Sequence, residues 1–245
     1  MNTPLDRTPR AVAATVPADA APHWAAADTG ARQGAAALLS THRVLRNTYA
    51  LLGLTLLFSA GVASAGMAFN WPAPGIVLTL AGYFGLLFLT HKLSRSGWGL
   101  LSVFALTGFM GYTLGPILDR VAALPGGSQV IAMALGSTAV IFLALSAWVL
   151  VSRRDFSVMG GMLFAGMVVA LLGGLAAAFF NIPALGLAIS AMVVLLSSGF
   201  ILYETSRIVH GGETNYILAT IGLYVSVFNL FTSLLSLFGY SSSSE

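Results

Sequence analysis

The sequence predicts an all-α polytopic membrane protein, and three observations carry that prediction. Of 245 residues, 57% are hydrophobic and only 8% are charged, whereas about a quarter of a soluble chain is charged. So few charged side chains cannot clothe a water-facing surface. The apolar residues gather in seven continuous runs, each close to the roughly 20 residues a helix needs to cross a hydrocarbon core. Continuous runs point to helices, which satisfy their own backbone in lipid, and away from a β-barrel, whose strands alternate apolar and polar residues. The basic residues, finally, fall on alternate sides of those runs.

Residues 1–40 come first, and they are Ala, Pro, Thr, Asp and Gly with few large apolar side chains. Such a composition cannot bury enough surface to offset the entropy of ordering, so a disordered tail is expected. No secretory signal peptide is expected either, because the first long apolar run begins only near Tyr49. The predicted spans are about 48–69, 75–91, 97–118, 128–151, 158–180, 184–203 and 216–238, within a membrane domain of 41–240 followed by a short Ser-rich tail at 241–245. Asn70-Trp71-Pro72-Ala73-Pro74, Pro125-Gly126-Gly127 and Asn181-Ile182-Pro183 each join turn formers to a helix breaker. Helices connected so briefly are antiparallel neighbours. The fifth and sixth spans are divided only by Asn181 and Pro183, and one kinked helix is the rival reading there.

Orientation follows from the Lys and Arg positions. Arg7, Arg10, Arg32, Arg43 and Arg46 precede the first span, Lys92 and Arg95 lie in the second loop, Arg153 and Arg154 in the fourth and Arg207 in the sixth. Of the 11 basic residues only Arg120 falls on the other side. The expectation is a cytoplasmic N-terminus and, after an odd number of crossings, an external C-terminus. Trp71, Trp98 and Trp148 fall near span ends, as interfacial anchors do. The net charge of +3 does not imply nucleic acid, because the basic residues are scattered rather than gathered in a patch.

Enzymatic signatures are missing. There is no HExxH pair, GxSxG turn or GxxxxGK[ST] loop, and the histidines at 24, 42, 91 and 210 do not cluster at ligand spacing. With no cysteine there is no thiolate metal site or nucleophile. No catalytic residue, metal or cofactor is expected. His210-Gly211-Gly212-Glu213 reads as a turn between the last two spans.

Along the last span Asn215, Ala219, Gly222, Ser226, Asn229, Ser233 and Ser236 recur at spacings of four and three, a small or polar stripe on one helix face. The stripe reads either as a packing seam, since small and hydroxylated residues let helices approach closely, or as the lining of an ion path with Asn229 the most polar side chain at depth. A large apolar residue at Gly222 or Ser226 is expected to overpack the seam, and the conservative exchanges Leu230→Val and Leu234→Ile on its flank to matter less. Gly111 and Gly115 form a helix-contact signature in the third span. Among ionisable groups, Glu204 ends the sixth span and Arg207 lies three residues on, so they either pair structurally or form a titrating gate. Asp119 reads as a solvated helix end and His91 as a headgroup contact.

The stretch ILYETSRIVHGGETNYILATIGLYVSVFNLFTSLLSLFG, from Ile201 to Gly239, resembles the C-terminal signature of the Bax inhibitor-1 superfamily and specifically its bacterial YccA branch. Leu39 to Ala60, Phe104 to Leu118 and Phe142 to Leu163 resemble that branch as well, and the resemblance covers roughly 38–240. It implies a seven-helix fold with the last helix central, in agreement with the polar stripe. It implies an inner-membrane partner and modulator of the FtsH AAA protease, itself a slow substrate, with the lipid bilayer as surroundings. It also implies an alternative, a pH-sensitive cation (calcium) leak gated by two aspartates, with calcium and protons as its ionic partners. On this chain the first position is Glu204 and the second is Ser226. One carboxylate and a hydroxyl cannot share a proton as two carboxylates do, which favours the modulator.

Overall fold

The computed structural model describes the backbone over residues 23–243 and side chains over 42–241. The chain divides into two compact units, 1–39 and 40–245. Seven long helices follow one another: α1 (His23–Ala68), α2 (Ile76–Leu93), α3 (Gly99–Ala122), α4 (Gly127–Ser152), α5 (Gly160–Phe179), α6 (Pro183–Val209) and α7 (Tyr216–Ser243). A single 3-10 turn, Ser157–Met159, precedes α5, and no strand occurs among the described residues. All seven helices are long and apolar enough to cross a membrane. Helix α1 is assigned from His23, well before the expected start of the first span, and its membrane-spanning part is His42–Ala68. Of the tail expected at 1–40, residues 1–22 lie outside the described residues.

The predicted turns carry the expected backbone chemistry. Asn70, Gly126 and Asn181 all adopt positive φ, at 49°, 69° and 51°, a conformation Asn and Gly enter at least cost. At Asn70 and Asn181 the residue after the turn closes the helix end, Trp71 N–H donating to the Gly66 carbonyl and Ile182 N–H to that of Ala177, both at 2.9 Å and 3.0 Å respectively. These are Schellman closures that use the last free carbonyls. The α5–α6 boundary is therefore a true reversal and not a kink. Across it, Gly160, Gly166 and Gly173 receive Tyr203, Leu196 and Ile189, so bulky residues seven apart on α6 sit over small ones on α5. Spacing of that period is what an antiparallel, slightly supercoiled helix pair requires.

Helix α7 occupies the centre. More than half of its apolar window, 56%, is buried within the protein, against 6% for α2 at the periphery. It packs on α3, α4 and α6. It is tied to α1 by the Tyr224 hydroxyl, which donates to Ser59 Oγ at 2.6 Å, and by Thr220 Oγ1, 3.3 Å from the Thr48 carbonyl. Leu223, Leu230 and Leu235 of α7 are buried almost completely and join core residues of α3, α4 and α6. Leu230 and Leu234, read from the sequence as flank positions, are core residues, because a central helix has no lipid-facing flank along most of its length.

Candidate functional site

Helix α6 runs six residues beyond its predicted end, to Val209. The charges that suggested a boundary neutralise each other instead. Arg207 Nη1 lies 3.5 Å from Glu204 Oε2, one helical turn away, and Nη2 lies 3.1 Å from Glu213 Oε2 across the α6–α7 turn. The guanidinium also stands 5.5 Å over the Tyr203 ring, a cation–π contact. Gly211, at φ 73°, reverses the chain so that Glu213 N–H reaches the Arg207 carbonyl at 3.1 Å. The second oxygen of Glu213 accepts from Asn215 N–H at 2.9 Å. Asn215 caps α7 by accepting from Ile217 N–H at 2.9 Å, and its amide donates to the Ser94 carbonyl just after α2 at 3.0 Å. One polar chain thus links the end of α2, the end of α6 and the start of α7.

Below this chain a cavity of about 820 Å³ opens between α2, α5, α6 and α7. Glu204, Arg207, Ser226 and Asn229, the candidate ion-path residues, all line it. Gly222 makes room for Glu204: a Cβ at Gly222 would stand 2.7 Å from the carboxyl carbon. Ser226 Oγ donates to the Gly222 carbonyl at 2.8 Å, so its hydrogen is spent within its own helix. His91 sits exposed at the rim. The polar stripe of α7 is therefore divided. Gly222, Ser226 and Asn229 line the cavity, Ser226 at a buried point of it, whereas Ala219 and Ser233 are buried outside its lining. Ser236 is corrected: it is exposed near the far end of α7, and among the described residues its hydroxyl donates to the Thr232 carbonyl of its own helix, 2.9 Å away.

Gly111 and Gly115 lie elsewhere, at the α1–α3 crossing. A Cβ on Gly111 would collide with the Ser59 carbonyl, and one on Gly115 would stand 3.0 Å from that of Ala63. This is backbone-to-backbone packing, as small residues in membrane helices permit.

A second polar group sits at the same end as Arg207. Ser206, fully buried, accepts from Phe156 N–H at 2.9 Å, and His210 places Nδ1 2.9 Å from the Ser206 carbonyl and Nε2 3.0 Å from that of Arg153. The α4–α5 loop is thereby clasped to α6. In that loop Asp155 accepts from Ser157 N–H at 2.8 Å, and this bond, helped by nearby His210, holds its carboxyl below the usual carboxylate range. Sequence reasoning placed Glu213 in a turn and did not attach it to Arg207; six residues apart, they meet only because the glycine turn folds back. Ser206 gave no signal, since an isolated serine in an apolar helix reads as a spacer.

A bundle of seven apolar helices with a buried central helix and an Arg-bridged pair of glutamates at one end defines a membrane-protein class. The chain belongs to the Bax inhibitor-1 family: the family model described as inhibitor of apoptosis-promoting Bax1 matches residues 41–243. It is 58% identical over 205 residues, 84% of this chain and 93% of the relative, to the modulator of FtsH protease YccA of Escherichia coli strain K12. An uncharacterized protein of Pseudomonas aeruginosa is 56% identical over 196 residues, 80% of this chain and 88% of that protein. An uncharacterized membrane protein of Vibrio cholerae is 47% identical over 208 residues, covering 84% and 93%.

Proposed function

We propose that this chain is a noncatalytic inner-membrane modulator of an FtsH-type protease and one of its slow substrates. The observation that carries the reading is 58% identity across 93% of a relative named for modulating that protease. The geometry is compatible with it: Glu204 and Glu213 both contact Arg207 in a structural ion-pair cluster. The excess of Lys and Arg in alternate loops supports a cytoplasmic N-terminus and an external C-terminus. A protease that pulls its substrates needs an end to grip, and residues 1–40, poor in large apolar side chains, supply it while the bundle resists extraction. Affinity capture of the full chain from detergent-solubilised bacterial membranes should recover the FtsH-type protease, and a variant starting at Gly34 should persist longer in a pulse-chase. No co-recovery, together with equal degradation of both forms, would remove the proposal.

A second reading, a cation leak, is favoured by the meeting of Glu204, Arg207, Ser226 and Asn229 on one cavity. Its weakness is Ser226, where the resemblance expects a second carboxylate. Calcium flux into liposomes holding the purified chain should change with Glu204→Gln if the reading holds; the absence of flux in the unmodified protein ends it.

A further inference from the structure

The cavity has an opening that neither reading uses. Helix α2 packs on α3, and α5 packs on α6, but α2 and α5 share no packed interface although both wall the cavity. Phe84 of α2 and Phe164 of α5, 49% and 68% exposed, border the slot, so it opens on the apolar outer surface of the bundle. Its lining on α7 extends from Leu218 to Asn229 and on α5 from Phe164 to Leu175, about 16 Å at the helical rise of about 1.5 Å per residue. Most of that wall is apolar, including Phe84, Leu87, Met167 and Leu171, while the charges of Glu204, Arg207 and Glu213 collect at one end. The volume of about 820 Å³ suits an organic ligand. A lateral mouth, an apolar barrel and a charged end together describe the shape of a lipid.

Charge selects the headgroup. Two carboxyl groups share one guanidinium, with the glutamate side chains only 13% exposed. One negative charge is left over in a half-desolvated place, where an uncompensated charge is costly. Either a proton or a cation must balance it. The last turn of α2, at the same end, bears Lys92, which suits the phosphate of the molecule whose ammonium neutralises the carboxylates.

We infer that the slot between α2 and α5 holds one acyl chain of an aminophospholipid, whose ammonium headgroup rests against Glu204 and Glu213. The remaining chain stays in the bilayer, which is why the site needs a side opening and no enclosed chamber.

The test uses the full chain in vesicles of equal parts phosphatidylethanolamine and phosphatidylglycerol, with a photoactivatable diazirine on an acyl chain of one lipid or the other. Labelled residues are mapped by mass spectrometry. The ethanolamine probe should label Met167 and Leu171 about tenfold more than the glycerol probe, the factor expected of one charge-assisted hydrogen bond. Val169 and Leu172, exposed on the same helix and outside the cavity lining, should be labelled equally by both. Glu213→Gln should erase the preference, and Met167→Trp, which fills the slot, should abolish labelling at Leu171 while leaving Leu172 unchanged. That internal control separates loss of the site from loss of the fold. Equal labelling of the lining by both probes would overturn the inference and assign the excess charge to a proton. Absence of label in the lining would overturn it in favour of a water-filled passage.

Discussion

At the α1–α3 crossing, Gly111 lets the backbone carbonyl of Ser59 come so near that no Cβ fits, and at the α6–α7 crossing Gly222 leaves the same kind of room for the Glu204 carboxyl group. In sequence both are glycines in apolar helices. In the fold one admits a rigid main chain and the other the end of a flexible side chain. What the obstructing atom can do, more than how near it lies, decides how much a substitution costs. The contrast also separates a site that only holds the bundle together from one that positions a charge.

The largest expected effect breaks the first contact. Gly111→Leu should lower stability by about 3 kcal/mol or more, because overpacking against main chain cannot relax by a rotamer change. Thermal unfolding in detergent measures it, and Ser59→Ala should give no rescue, since the obstructing atom is a backbone oxygen. Next comes Arg207→Met, which leaves Glu204 and Glu213 without their shared partner. Stranding buried carboxylates costs several kcal/mol, but Arg207 is 30% exposed, so about 1–2 kcal/mol is expected. The same melting assay should show the loss shrinking when Glu213→Gln is added.

Gly222→Ala should cost about 1 kcal/mol, because the Glu204 carboxyl can swing away. The sharper measurement is the double-mutant cycle: in a Glu204→Ala background, Gly222→Ala should cost almost nothing. Equal penalties in both backgrounds would mean that the α6–α7 crossing is limited by main chain, and the contrast with Gly111 would collapse. The smallest effect concerns the α4–α5 loop. Asp155 has a lowered folded-state pKa from the Ser157 N–H bond and from His210. Its stabilisation is therefore present above the ordinary carboxylate value of about 3.8 and is lost as pH falls through the lower folded value. Hydrogen exchange at the Ser157 amide should be faster in Asp155→Asn than in the parent at neutral pH and should converge only in strong acid.

Much of the fold was legible because lipid imposes continuous apolar helices and the turns between them use Asn, Gly and Pro for backbone reasons. The end of α6 was not, because Glu204 and Arg207 look like a boundary until their mutual contact is known. The polar stripe of α7 identified the right face at Gly222, Ser226 and Asn229 and failed at Ser236, which is exposed although Leu235 beside it is buried in the core. The burial of Leu230 and Leu234 was hidden as well. Periodicity marks the most polar face of a helix, and for a helix surrounded on most sides the opposite faces are core too. Glu213 depended on a loop fold that no spacing rule encodes.

The α5–α6 pair carries arginines before one helix and near the end of the other, and its connecting tip at Phe180, Asn181 and Ile182 is uncharged. During insertion such a hairpin needs to carry only that tip through the bilayer, with its backbone ends already closed by the Asn181 turn. Its matched glycines and bulky residues let the two helices associate before α7, which follows them in the chain, is present. The pair is thus built to enter the membrane as one unit, independently of the central helix that is synthesised last and around which the bundle finally closes.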